Sequence, residues 1–169
     1  MAAFIPITGP VVANTFYVNN ALAARDVAMT LPAVTPQATD IRAMGTMSLP
    51  IWPLVENMEL SITKVGVDTG FRSMLTPEPT QLEARWVQTV TDANGATKEV
   101  GCKAFMKGSL GGIPGLGLEP ANPSENDTTY NLTRYQLMVD GQEAFLIDRL
   151  AGICRINGKD YAESMNSML

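Results

Sequence analysis

The residues able to do chemistry are few. The chain has 169 residues and no histidine. A Ser-His-Asp triad, a Cys-His dyad and an imidazole base are therefore impossible. A His-ligated zinc or haem site is excluded for the same reason. Cys102 and Cys154 are the only two cysteines, too few for a Cys₄ metal site and too far apart for a CxxC redox pair. For each, a small reduced core residue is the default. Cys102 sits mid-strand and reads as buried. Cys154, in a short segment near the C-terminus, is the better candidate for a cross-link to a neighbouring subunit.

Other motifs have a plainer reading. Asp140, Glu143 and Asp148 lie close in sequence, but Asp140 has a turn role and nothing forms a calcium-loop pattern. They read as solvated or interface charges. Gly112-Ile-Pro-Gly115-Leu-Gly117 is neither GxGxxG nor a P-loop, and Pro114 removes an amide donor that a phosphate cradle needs. The basic residues Lys103, Lys107, Arg134 and Arg149 make no run, and the net charge is −5. Tight nucleic-acid binding needs clustered cations. The sequence predicts no catalysis, no metal and no cofactor.

Charged residues are 17% of the chain, against about 25% in typical soluble domains. The deficit predicts more hidden surface than usual, covered by other copies of the chain. The first charged residue is Arg25, yet Pro6, Gly9, Pro10, Asn14, Asn19 and Asn20 interrupt any signal-peptide core. No apolar run reaches the roughly 18 residues of a membrane span, so no membrane anchor is expected.

The elements that must carry these residues read mainly as strands in one domain over 1–169. Residues 11–18 form a strand, Asn19-Asn20 a turn, and 26–31 the return strand. Residues 32–50 show neither periodicity over most of their length and read as a long excursion, which is functional in most compact domains. A strand covers 55–65. Asp68 N-caps a short helix to about Leu75, stopped by Pro77 and Pro79. A hairpin spans 82–106, with Asn94-Gly95 expected as a type I′ turn. Its faces are Ala84 and Trp86 with Cys102, Ala104 and Met106, against Arg85 and Val87 with Lys103, Phe105 and Lys107. A Gly/Pro-rich loop follows over about 108–126. Strands at 129–139, 143–147 and 153–156 are joined by tight turns at Asp140-Gly141 and Asn157-Gly158. Asp160 with Glu163 reads as a capping box for a last helix to about Met168.

The C-terminal third resembles a known family. Arg134-Tyr135-Gln-Leu137-Met-Val-Asp140-Gly141-Gln-Glu143-Ala-Phe-Leu-Ile147-Asp148, then Asn157-Gly158-Lys-Asp160, is similar to the major tail tube protein of contractile-tailed phages and R-type bacteriocins. Thr30-Leu31-Pro32, Arg42-Ala-Met44-Gly45 and Met106-Lys107-Gly108 extend the resemblance collinearly over nearly the whole chain.

The resemblance implies two packed antiparallel sheets with a short flanking helix and a C-terminal helix. It implies that hexameric rings complete a continuous β-barrel and stack into a tube. The long loop would stack rings, through Ile41, Arg42, Met44, Met47 and Leu49. Implied partners are other copies of the chain, a tail sheath around the tube, and baseplate and tail-terminator proteins at its ends. Tape measure protein or DNA would occupy the lumen without sequence-specific binding. The chain would be a virion protein, assembled in the host bacterial cytoplasm and serving as a conduit for the genome. The alternatives are the tube of a headless bacteriocin, that of a type VI-like secretion system, and, from a different class, a monomeric binding module or carboxylate-metal enzyme.

Overall fold

Strict alternation builds the centre of the molecule. A computed structural model describes residues 5–169. Its strands are β1 (Ile7–Val18), β2 (Ala21–Arg25), β3 (Ala28–Thr30), β4 (Pro36–Arg42), β5 (Thr46–Val55) and β6 (Met58–Val65). Helix α1 (Thr69–Met74) precedes β7 (Thr80–Thr91), β8 (Thr97–Gly112), β9 (Glu125–Val139), β10 (Gln142–Asp148), β11 (Ile153–Ile156), β12 (Lys159–Asp160) and helix α2 (Glu163–Asn166). Along β8, Cys102, Ala104 and Met106 are buried while Lys103, Phe105 and Lys107 are exposed. The register sets Ala84 opposite Ala104 and Leu82 opposite Met106. Both faces match the alternation read from the sequence.

Among the described residues all pairings are antiparallel, and the sheets are two. Ten strands form one sheet, in the order β12-β11-β10-β9-β8-β7-β1-β2, with β6 attached to β9 and β3 to β6. The long strand β9 joins two layers. Its first half pairs with β6 and its second with β10. The Asn14 side-chain amide on β1 donates to the Val27 carbonyl at 2.7 Å and accepts from the Val27 N–H at 3.0 Å, which ties β1 to the link between β2 and β3. Phe16 fills the space left by the two small residues Ala84 and Ala104 and packs 6.3 Å from the Tyr130 ring. The second sheet is the hairpin β4-β5.

Helix α1 is clipped from several sides. The Asp68 carboxylate accepts the Phe71 N–H at 2.8 Å, as the N-cap reading requires. Its other oxygen takes the buried Lys64 ammonium at 2.9 Å, which also reaches the Ala23 carbonyl. The Tyr130 hydroxyl donates to the Met74 carbonyl at the far end. A Cβ on Gly70 would lie 2.0 Å from the Ala23 carbonyl oxygen, so only glycine allows the helix to lie on β2.

Several boundaries differ from the sequence reading. Asn19-Asn20 is a left-handed turn, with φ of 49° and 66°, but the return strand is β2 rather than 26–31. Asp26, at φ 52°, then turns the chain away, and β3 pairs with β6. The turn after β7 is not type I′. The Asp92 carboxylate accepts the Asn94 and Ala96 N–H groups, and only Gly95 is left-handed, at φ 78°. That is the three-residue hairpin with one left-handed position. The Gly/Pro-rich loop shrinks to 113–124, because β8 runs on to Gly112 and β9 begins at Glu125. The capping box is absent: α2 is four residues long, with Ala162 as N-cap and no side-chain cap bond. Asp160 Oδ1 instead accepts the Ala162 N–H at 2.9 Å and the Cys154 N–H at 3.3 Å.

Candidate assembly surface

The excursion read over 32–50 is a two-stranded arm. Ile41 faces Met47, Thr39 faces Leu49 and Gln37 faces Ile51. Side chains alternate along each strand. One face of the arm therefore carries Ile41, Met47, Leu49 and Ile51, and the other carries Arg42, Asp40, Thr46 and Ser48. All are exposed. At the tip, the Ala43 N–H donates to the Gly45 carbonyl at 2.9 Å. Met44, at φ 52°, stands wholly in solvent. The signal for these strands lay in Thr46-Met47-Ser48-Leu49-Pro50-Ile51, which alternates strictly. Pro50 masks it, yet proline is tolerated where the partner strand leaves an edge free.

A bulge roots the arm in the core. The register slips between Pro36 and Gln37, throwing Trp52, Pro53 and Leu54 out of the ladder. Trp52 packs against the core cluster and Val55 is buried in it. The Glu56 N–H donates to the Thr35 carbonyl at 2.9 Å and closes the base. The Trp52 carbonyl receives the Cys154 thiol at 3.2 Å.

That contact shows where Cys154, the candidate for a cross-link, sits in the single chain. The residue is 2% exposed and lies under the root of the arm, with its thiol raised above the ordinary range by burial. Disulfide formation needs Cα atoms within about 7 Å, and here the arm itself covers the thiol. Cys102 is 3% exposed, likewise raised by burial.

The residues that carried the resemblance hold the C-terminal meander beside this root. Leu31 packs on the core and Pro32 is buried. Leu137 packs on the core, and Tyr135 meets the Phe145 ring edge-on at 4.9 Å. Burial pushes the Tyr135 phenol up to about 12. Ile147 is buried and pairs with Cys154. Asp140-Gly141 and Asn157-Gly158 both have two positive φ values, as type I′ turns demand. Asp148 closes β10 by accepting the Leu150 and Ala151 N–H groups at 3.1 and 2.9 Å. Glu143 receives Arg155 at 2.6 and 3.1 Å, and Gln136 at 2.6 Å. The Arg155 guanidinium, then the Gln136 amide, hold its carboxyl below the usual range. Asp140, Glu143 and Asp148 thus serve a turn, an ion pair and a strand end. Asp160 completes the chain of contacts through Cys154 to Trp52 and the arm.

What the arrangement can do is bind apolar surface. The exposed arm face gains roughly 1.5–3 kcal/mol for each side chain it fully covers. No helix among the described residues is long and apolar enough to cross a membrane.

A family model described as "Phage tail tube protein FII" matches residues 11–169. No curated protein matches the chain by sequence. Among solved structures, one chain of an extracellular contractile injection system is similar; it comes from a cryo-EM structure of a PVC sheath-tube complex in the extended state. The TM-score is 0.56 at 9% identity, covering 77% of this chain and 90% of that one. That likeness concerns the fold.

Proposed function

We infer the function from one premise: the chain belongs to the phage tail tube protein FII family and is a structural component of a phage tail. The proposal is that it closes into hexameric rings that stack into the inner tube of a contractile tail. The observation that carries it is the family match over residues 11–169. The protruding apolar arm supports it independently. An isolated chain that leaves Ile41, Met44, Met47 and Leu49 in water has a strong reason to associate.

In this reading the arm is the ring-stacking element, and Arg42 adds a directional pairing with a carboxylate of the next ring. A head-to-tail contact whose rotation closes makes a ring. Closure also removes open strand edges, which otherwise pair without control. The tube lies within a tail sheath, with baseplate and terminator proteins at its ends. Tape measure protein and then DNA pass along the lumen without sequence-specific contacts. Rings assemble in the host cytoplasm before the particle is released. No catalytic step is assigned to the chain.

Negative-stain microscopy of the purified protein over a range of concentrations tests this, alongside sedimentation. Hollow tubes with six-fold end views are expected. A compact monomer at every concentration, with no tube of this chain in native particles, overturns the reading.

A further inference from the structure

We propose that the arm of one subunit is received by the opposite end of a subunit in the next ring, on the surface formed by residues 113–118 with Val65 and Val67. The inference rests on the stacking reading above and adds the acceptor, which neither the family match nor the fold likeness assigns.

The strand register places donor and acceptor at opposite ends of one element. The arm is rooted at Val55, just before β6 begins at Met58. At the other end of β6, Val65 pairs with Glu125, and the Gly66 N–H donates to the Ser124 carbonyl at 2.7 Å. The loop over 113–124 therefore leaves β8 at Gly112, level with Ser61 across β9, and runs towards the Val65 end, which it reaches at Ser124. Eight strand residues separate the two, roughly 25 Å.

The acceptor end is apolar. Ile113 and Leu118 are 73% and 74% exposed, and Leu116, Val65 and Val67 are also in solvent. Gly115 and Gly117 have open space where a side chain would stand, leaving room for an incoming strand face. No charged residue occurs from Ser109 to Leu118.

Charge gives the contact its direction. From Gly108 to Thr133 there is no lysine or arginine, while Glu119, Glu125 and Asp127 are present; Lys64 and Arg25, which share a cleft with Glu125, are already paired with Asp68 and Asp26. Asp127 accepts the Thr63 hydroxyl and Glu119 accepts the Asn122 amide, but neither meets a cation. On the arm, Arg42 is in no ion pair among the described residues. Arg42 lies on the other face of the arm, next to its tip, so its guanidinium suits carboxylates that flank the acceptor rather than lie beneath the seated apolar face. Two different patches on identical chains make a heterologous contact, which propagates along an axis. An arm-to-arm contact is isologous and stops at two rings.

Introduced cysteines test the contact. Met44 and Leu116 are exposed, so Met44→Cys and Leu116→Cys leave the core alone, and the native cysteines are buried. Tubes of the double variant, oxidised and run on a non-reducing gel, are expected to give a ladder of covalent multimers. Each single variant is expected to remain monomeric on the gel. Tubes without a ladder overturn the acceptor while leaving the tube reading intact, and dimers from Met44→Cys alone overturn it in favour of arm-to-arm contact. A wild-type protein that never forms tubes removes the stacking reading and the acceptor with it. If the double variant does not assemble, charge exchange decides: Arg42→Glu is expected to raise the protein concentration needed for tubes several-fold, and adding Glu119→Arg with Glu125→Arg to bring it back down. Absence of recovery overturns the proposal.

Discussion

Thr128 carries a buried side-chain oxygen with no hydrogen-bond partner among the described residues. It faces the core beside Tyr130 on β9, where leaving a hydroxyl unmatched costs about 1–3 kcal/mol. Thr128→Val keeps the shape and removes the orphan. It is expected to stabilise the chain by about 1 kcal/mol, raising Tm by roughly 2–4 °C for a domain of this size, read by thermal circular dichroism. Glu143 works in the other direction. Arg155 holds its folded-state pKa below the ordinary 4.5, so the ionised form is favoured on folding. Its contribution is fully present above that ordinary value and disappears as pH falls through the lower folded value. Both side chains are partly exposed, at 22% and 37%, so the effect is modest. Urea midpoints of the wild type and Glu143→Gln should differ at about pH 6 and converge towards about pH 3, as the linkage requires. A constant gap over that span means that the ion pair does not set the pH dependence.

The strands of the β7-β8 hairpin were legible because burial on one side imposes period two, visible in Ala84, Trp86, Cys102, Ala104 and Met106. The Asp140-Gly141 and Asn157-Gly158 turns were legible because few residues accept two left-handed positions in succession. Asn94-Gly95 misled for a local reason: the Asp92 carboxylate captures two backbone donors and stabilises a longer turn. The arm was read as irregular because its strands bury neither face in the monomer. In the proposed tube its alternation serves a surface of the next ring. Met44→Asp with Met47→Asp places two carboxylates on the arm and touches no core residue. Far-ultraviolet circular dichroism should be unchanged while tubes disappear from micrographs. A folded variant that still makes long tubes shows that the arm does not stack rings. The contact between α1 and β2 was invisible in sequence, since it depends on Gly70 meeting the backbone of Ala23. Gly70→Ala forces the helix off the sheet and should cost at least about 1–3 kcal/mol in a urea melt, the usual range for overpacking. A loss below that range means the helix shifts freely.

The whole chain combines a charged share of only 17%, a net charge of −5 and exposed apolar surface at two ends. Two forces compete in stacking such subunits, and their magnitudes decide which governs. Covering Ile41, Met44, Met47 and Leu49 contributes roughly 1.5–3 kcal/mol for each side chain fully buried. One exposed pair at Arg42 contributes about 0.2–1 kcal/mol. In the proposed stacking, apolar burial therefore supplies the strength and Arg42 the direction, while like net charge opposes the approach of rings. Added salt removes that repulsion, and at 1 M the screening length falls to about 3 Å. Tubes in about 1 M sodium chloride should then be at least as long as tubes in low salt. Cooling acts on the dominant force, because apolar burial weakens as temperature falls. The protein concentration needed for tubes should rise when the sample is taken from about 25 °C to about 4 °C. Sedimentation at the two salt concentrations and two temperatures measures both effects. Tubes that dissolve in high salt and lengthen in the cold are held by charge, and the apolar face of the arm is then not what binds one ring to the next.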